Sequence, residues 1–155
     1  IISMYMTILI IFPGEFAKNY KIGLVGVTLS YFLNLKVLLR IIRSPEIADF
    51  KGQTKKTDGL DSVGVMAVIV LLMVVISLAL AVCFISCSGE GVYTNNPTFF
   101  DLFYYTIITF ATVGYGDISP VSPIAKFMSI VISMTSILCL TVFISSVLSY
   151  KGTED

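Results

Sequence analysis

The feature that most constrains this 155-residue chain is the run TVGYGD at residues 112–117, which lies between two long apolar segments. The apolar segments cover residues 63–87 and 125–150, and the first of them has no charged residue. Each is longer than the roughly 20 apolar residues that a helix needs to cross a bilayer. Glycine weakens a helix interior, so the pattern predicts two membrane-spanning helices with a special loop between them.

The glycines of this run indicate the backbone conformation of the loop. Glycine has no Cβ and reaches positive φ without strain. If Gly114 and Gly116 adopt left-handed angles between ordinary neighbours, the carbonyls from Thr112 to Tyr115 all turn to one side. The side chains of Val113 and Tyr115 would then point away from that line of oxygens. The alternative interpretation is a plain glycine-rich turn between two helices.

The composition favours a membrane protein and excludes several other classes. Hydrophobic residues make up 56% of the chain and charged residues 13%, and the mean hydropathy is +0.93, which is far too apolar for a soluble domain. Ten basic and ten acidic residues cancel, and the apolar runs argue against a nucleic-acid partner. The sequence has no histidine, the commonest general base and metal ligand.

The three cysteines, Cys83, Cys87 and Cys139, form no zinc or redox pattern. We expect them to be small apolar packing residues, with a disulfide near the outer end of the first long helix as the alternative.

The run at 112–117, with its flanking segments, resembles the selectivity filter of the tetrameric potassium channel family. The resemblance covers residues 63–149 and implies an all-α membrane protein assembled as a homotetramer. In that family, four copies of this loop form stacked rings of oxygens that replace the water shell of potassium. The resemblance therefore implies passive, selective K+ conduction across the cell membrane, with K+ ions in the filter, no organic cofactor and no enzymatic activity.

The resemblance also assigns the parts of a pore domain at residues 62–151. Its elements are an outer helix at 63–87, a re-entrant pore helix at 97–111, a filter at 112–117 and an inner helix at 125–150. The implied filter residues are Thr112, Val113, Gly114, Tyr115 and Gly116, of which the first four coordinate K+.

The segment before the filter predicts a helix shorter than half a bilayer, which must be re-entrant and buried by protein. Asn96 suits its N-cap and Pro97 its first helical position. Related channels carry an aromatic pair where this chain has Tyr104 and Tyr105, and the resemblance implies that the pair forms a cuff around the filter. Tyr104 matches the position that bonds the acid after the filter, here Asp117. The alternative for the pair is aromatic packing at the membrane interface.

The second long apolar segment lacks the glycine hinge and the proline pair that many relatives use for bending. We expect any bend to come from serine and threonine hydroxyls that bond back to the backbone, with Ser133, Thr135 and Ser136 as candidates. The resemblance implies a cavity-facing row that could close the inner mouth by dewetting. Its members are Ser136, Leu140, Ile144 and Leu148. The alternative for these residues is helix–helix packing.

Residues 1–43 are expected to hold partial or peripheral membrane segments, with a weaker span at 22–42. Its end carries Lys36, Arg40 and Arg43, and their order resembles the fourth helix of voltage-gated channels. That helix has a basic residue at every third position, whereas the spacings here are four and three. Two interpretations stay open: a degenerate voltage sensor, or charges that mark the cytoplasmic end of a span.

Residues 44–61 form a polar, lysine-containing segment that we expect to be a cytoplasmic linker under the positive-inside rule. This orientation makes the protein multi-pass, with both flanks of the pore domain cytoplasmic. The chain begins with Ile1 rather than methionine, which predicts a fragment of a longer protein.

Two other functions remain alternatives at this stage: a weakly selective cation channel, or a non-conducting regulatory channel subunit. Expected partners are further copies of the chain and membrane lipid, with channel blockers or accessory subunits as additional candidates.

Overall fold

A computed structural model describes residues 20–43 and 56–151, with side-chain burial described for 21–40 and 68–141. The described residues form four helices and no extended strand. They are α1 (Tyr20–Arg43), α2 (Lys56–Ser86), α3 (Phe99–Phe110) and α4 (Pro123–Lys151).

Three of these helices are long and apolar enough to cross a membrane. The qualifying segments are Lys21–Arg40 in α1, Val68–Ser86 in α2 and Pro123–Thr141 in α4. Helix α3 has 12 residues, which is about 18 Å at 1.5 Å per residue and too short to span. The prediction of an all-α membrane protein is confirmed.

The bounds of all three pore-domain helices differ from the sequence prediction, and α3 runs Phe99–Phe110 rather than 97–111. Helix α2 begins at Lys56, inside the predicted linker 44–61, because a helix can continue into polar residues beyond the apolar span. The rest of that linker, 44–55, lies outside the described residues, as do residues 1–19. Helix α4 begins at Pro123, where proline is tolerated because the first helical N–H needs no partner.

Helix α2 is the centre of the packing and contacts the other three helices. Its residues Val74, Leu78, Val82 and Phe84 are at most 1% exposed. Helix α1 lies against α2 so closely that a Cβ at Gly23 would overlap the Phe84 ring. Helices α3 and α4 also contact α2 and contribute to the same core cluster as Leu38 of α1.

Candidate functional site

The start of α3 is fixed by a capping box between Thr98 and Asp101. The Asp101 backbone N–H donates to Thr98 Oγ1 at 3.3 Å, while Thr98 N and Thr98 Oγ1 donate to Asp101 Oδ2 at 2.8 and 2.7 Å. Hydrogen bonds from the Thr98 hydroxyl and the Thr98 backbone N–H lower the pKa of Asp101.

The prediction that Asn96 is the N-cap is therefore wrong. Thr98 has the extended backbone of an N-cap (φ −71°, ψ 170°), whereas Asn96 has φ +44°. The sequence signal was present, since Thr98 and Asp101 have the spacing of a capping box. The Asn96-Pro97 pair competes with it, and Pro97 precedes the helix.

Left-handed residues alternate through the loop. Thr112, Gly114 and Gly116 have φ of 59°, 55° and 83°, while neither Val113 nor Tyr115 has a positive φ. The predicted left-handed conformation of both glycines is confirmed. The third left-handed residue, Thr112, was not anticipated, because a β-branched residue rarely adopts positive φ.

The amide groups of the loop are turned toward the end of α3. The Thr112 N–H donates to the Thr109 carbonyl at 3.1 Å, and the N–H groups of Val113 and Gly114 donate to the Ile108 carbonyl at 2.9 and 3.2 Å. Among the described residues, no hydrogen bond is accepted by the carbonyls from Thr112 to Tyr115. The first three N–H groups of the loop are thus bonded to α3, while the carbonyls from Thr112 to Tyr115 stay available.

The segment between α2 and α3, residues 87–98, is called the turret here. It holds the chain after the loop, in an arrangement that we call the outer clasp (residues 92–95 against 117–122). Asn95 Nδ2 donates to the Asp117 carbonyl at 3.1 Å. Thr94 exchanges two bonds with Ser119: its N–H donates to the Ser119 carbonyl at 3.0 Å, and its hydroxyl accepts from the Ser119 N–H at 2.9 Å. The Val121 N–H donates to the Val92 carbonyl at 2.9 Å.

Sequence reasoning did not find the outer clasp, because its two segments lie more than 20 residues apart and carry no recognisable strand pattern.

The structure separates the two tyrosines of the predicted cuff. Tyr104 lies near Asp117. The pKa of Tyr104 is raised mainly by loss of solvent around its hydroxyl, and further by the hydrogen bond to Asp117 and the negative charge of Asp117. Tyr105 is 4% exposed and its hydroxyl lies 2.6 Å from Ser129 Oγ on α4. Its ring makes an edge contact with Tyr93, with centroids 5.3 Å apart. Within one chain, Tyr105 therefore braces α3 against α4 and the turret, whereas Tyr104 reaches the end of the loop.

The predicted cavity-facing row is not uniform. Ser136 is 9% exposed and packs inside the chain, whereas Leu140 is 60% exposed. The side chains of Ile144 and Leu148 lie outside those that the structure describes.

The basic residues of α1 lie off its packed side. Lys36 and Arg40 are exposed, while Leu38 between them is 3% exposed. The side chain of Arg43 is outside the described set. Both interpretations of these charges, a degenerate voltage sensor or markers of the cytoplasmic end of the span, stay predictions.

All three cysteines are free. Cys83 is buried, and Cys87 and Cys139 are half-buried, as expected for packing residues. Among the described residues no group of three or more acidic, cysteine or histidine side chains could hold a metal ion.

Residues 64–150, more than half of the chain, match the family model described as ion channel. The chain is 33% identical over 101 residues to "Two-pore potassium channel 4" of Arabidopsis thaliana, which covers 63% of this chain and 35% of that protein. It is 42% identical over 48 residues to "Voltage-gated potassium channel" of Aeropyrum pernix, covering 31% of this chain and 16% of that protein.

A third relative is the "Hyperpolarization-activated voltage-gated potassium channel" of Methanocaldococcus jannaschii, 47% identical over 58 residues, which cover 33% of this chain and 27% of that protein. The matched residues span 35%, 16% and 27% of the lengths of these three relatives, about a third at most. No solved structure matches it.

The matched region contains most of α2, all of α3, the alternating loop and nearly all of α4, and it is a channel region rather than an enzyme domain. On this match and the geometry that accompanies it, the chain belongs to the ion channel family.

Proposed function

We propose that this chain is a subunit of a potassium-selective channel, which conducts K+ passively through a homotetrameric pore in the cell membrane. Residues 112–116 are the filter in this proposal, and the carbonyls from Thr112 to Tyr115, with the Thr112 hydroxyl, are the K+ ligands. The three relatives described above are named potassium channels, which supports the choice of ion.

The observation that carries the proposal is the alternation of left-handed and ordinary residues from Thr112 to Gly116. When neighbouring residues alternate in hand, successive peptide planes turn so that their carbonyls share one side. The N–H groups of Thr112, Val113 and Gly114 are already bonded to α3. Carbonyls that have no other donor are suited to replace water around a cation.

A single chain supplies only one edge of such a coordination cage, which supports assembly. Tyr115 and Val113 are 72% and 52% exposed in one chain, so a single chain leaves these two apolar side chains of the loop largely uncovered. Helix α4 also presents exposed apolar residues, including Phe127, Met134 and Ile137. Four copies around one axis would cover these side chains with neighbouring subunits, and the remaining apolar surface would face lipid.

The direction of α3 adds an electrostatic contribution. Its C-terminal end adjoins the filter, and a helix C-terminus carries a partial negative charge. Four such ends around the axis would favour a cation below the filter. The acid Asp117 beyond the filter would raise the local K+ concentration at the outer mouth.

The test is ion flux through liposomes that contain only the purified chain. We expect a K+ gradient to drive flux, and an equal Na+ gradient to drive far less. Flux carried equally by both ions would favour a weakly selective cation channel, and no flux would favour a non-conducting subunit.

A matched pair of glycine variants locates the selectivity. Gly114 and Gly91 have positive φ of 55° and 68°, and neither has an atom within 4 Å of a built Cβ. Alanine therefore imposes similar backbone strain at both positions. We expect Gly114→Ala to lose discrimination between K+ and Na+, and Gly91→Ala to keep it. Equal behaviour of the two variants would contradict the assignment of the filter.

A further inference from the structure

One face of α1 is fixed to the rest of the chain. Val27 and Leu38 are 5% and 3% exposed, and Tyr31 between them is half-buried. With Gly23 and Asn34, these residues recur every three or four positions, which follows one side of a helix. This side of α1 packs against α2 and α4.

Two polar contacts cross from this face into the core. Tyr31 Oη lies 2.6 Å from Thr135 Oγ1 on α4, and Asn34 Nδ2 donates to Ser77 Oγ on α2 at 3.4 Å. Thr135 and Ser77 are 2% and 1% exposed. The Tyr31–Thr135 bond is the shorter of the two, and a hydrogen bond in such a water-poor setting is strengthened by the low local dielectric.

The direction of the Tyr31 bond follows from counting protons. The Thr135 hydroxyl has one proton and donates it to the Val131 carbonyl at 2.6 Å. Tyr31 must therefore be the donor to Thr135 Oγ1. Donation into that oxygen strengthens the bond that Thr135 makes to its own helix, because chained hydrogen bonds polarise one another.

Thr135 occupies the part of α4 where bending is expected. Helix α4 contains no glycine, and its only proline is Pro123 at the first position. Threonine hydroxyls that bond the carbonyl four residues back are a recognised cause of helix bending. A side chain of α1 thus contacts one of the α4 hydroxyls that bond back to the helix backbone.

We propose that Tyr31 is a positioning residue for conduction, which holds the middle of α4 through Thr135 and so sets how readily the inner helix bends. The bond is made in the conformation described above and is broken when α4 bends at this level. Helix α1 then acts on gating through this hydrogen bond, independently of any contribution from its basic residues. The inference rests on the proposed channel function.

The test is a double-mutant cycle on single-channel open probability in planar bilayers. Tyr31→Phe and Thr135→Val each remove one hydroxyl with little change in shape. A net hydrogen bond of ordinary strength predicts a change of about two- to tenfold in the open–closed equilibrium, in the same direction for both variants. Thr135→Val also removes the bond to the Val131 carbonyl, so the double variant should change the equilibrium no more than Thr135→Val alone. Thr135→Ser should behave like the unmodified chain.

Thr141→Val is the control on the same helix, because the exposed Thr141 hydroxyl donates to the Ile137 carbonyl at 2.8 Å in the same way. Its effect should add to that of Tyr31→Phe. Additive effects of Tyr31→Phe and Thr135→Val, or unchanged open probability in both, would overturn the inference while conduction stands. An unmodified chain that passes no K+ would overturn the proposed function, and this inference with it.

Discussion

Thr112 is the most constrained residue of the candidate filter. It is β-branched and has φ 59°, a conformation that costs of the order of 1–3 kcal/mol. The structure offsets this strain locally, because its N–H bonds the Thr109 carbonyl and the following two N–H groups bond Ile108. Glycine would remove the strain at this position but also the hydroxyl that the proposal assigns to K+.

The capping box of α3 predicts a pH dependence. The pKa of Asp101 is lowered in the folded chain by its bonds to Thr98. A carboxyl whose folded pKa lies below its unfolded value stabilises the fold above the unfolded pKa, and this contribution is lost as pH falls through the folded pKa. We expect the unfolding temperature in detergent to fall as the pH drops below the ordinary range of an aspartate carboxyl, and less steeply in Asp101→Asn.

Thr98→Ala should lower the free energy of unfolding by about 1 kcal/mol through loss of the N-cap. Asn96→Ala is its control, and an equal loss there would contradict the placement of the cap at Thr98.

The outer clasp predicts a specific role for Asn95. Its φ is 63°, so Asn95→Gly keeps the backbone shape and removes only the amide that donates to the Asp117 carbonyl. We expect currents through this variant to decay faster during sustained opening, because the outer end of the filter has lost one tether. Asn96→Gly, at φ 44°, is the matched control and should decay at the normal rate.

At the scale of the helices, the contact between α1 and α2 predicts that alanine substitutions at two glycines of α1 change stability in opposite directions. A Cβ at Gly23 would overlap the Phe84 ring, so Gly23→Ala should destabilise the chain by about 1–3 kcal/mol through overpacking. Gly26 lies in the same helix but is exposed, and Gly26→Ala should stabilise it by up to about 1 kcal/mol through helix propensity. Thermal unfolding in detergent measures both, and equal shifts would contradict the packing of α1 on α2.

Local patterns in the sequence predicted the helices and the glycine conformations. Apolar runs identify α2 and α4, and Gly114 and Gly116 adopt the expected left-handed angles. The N-cap was missed because two local signals compete within three residues. The contact between Tyr31 and Thr135 joins residues 104 positions apart, and no periodic pattern encodes which side chains meet across helices.

In the whole molecule, a scaffold of long apolar helices supports one short loop. Helix α2 packs against α1, α3 and α4, α3 receives the amide groups of the loop, and the outer clasp holds its far end. Each of these contacts lies within one chain and leaves the loop carbonyls and the Tyr115 ring available. The symmetric cage around K+ is the part of the proposal that requires further copies of the chain.

The most direct test of that cage is the reversal potential of purified protein in a planar bilayer, with K+ on one side and Na+ on the other at equal concentration. The account predicts a large displacement from zero, of the sign expected when K+ alone carries the current. A reversal potential at zero, with current flowing, would contradict selective coordination of K+ by residues 112–116.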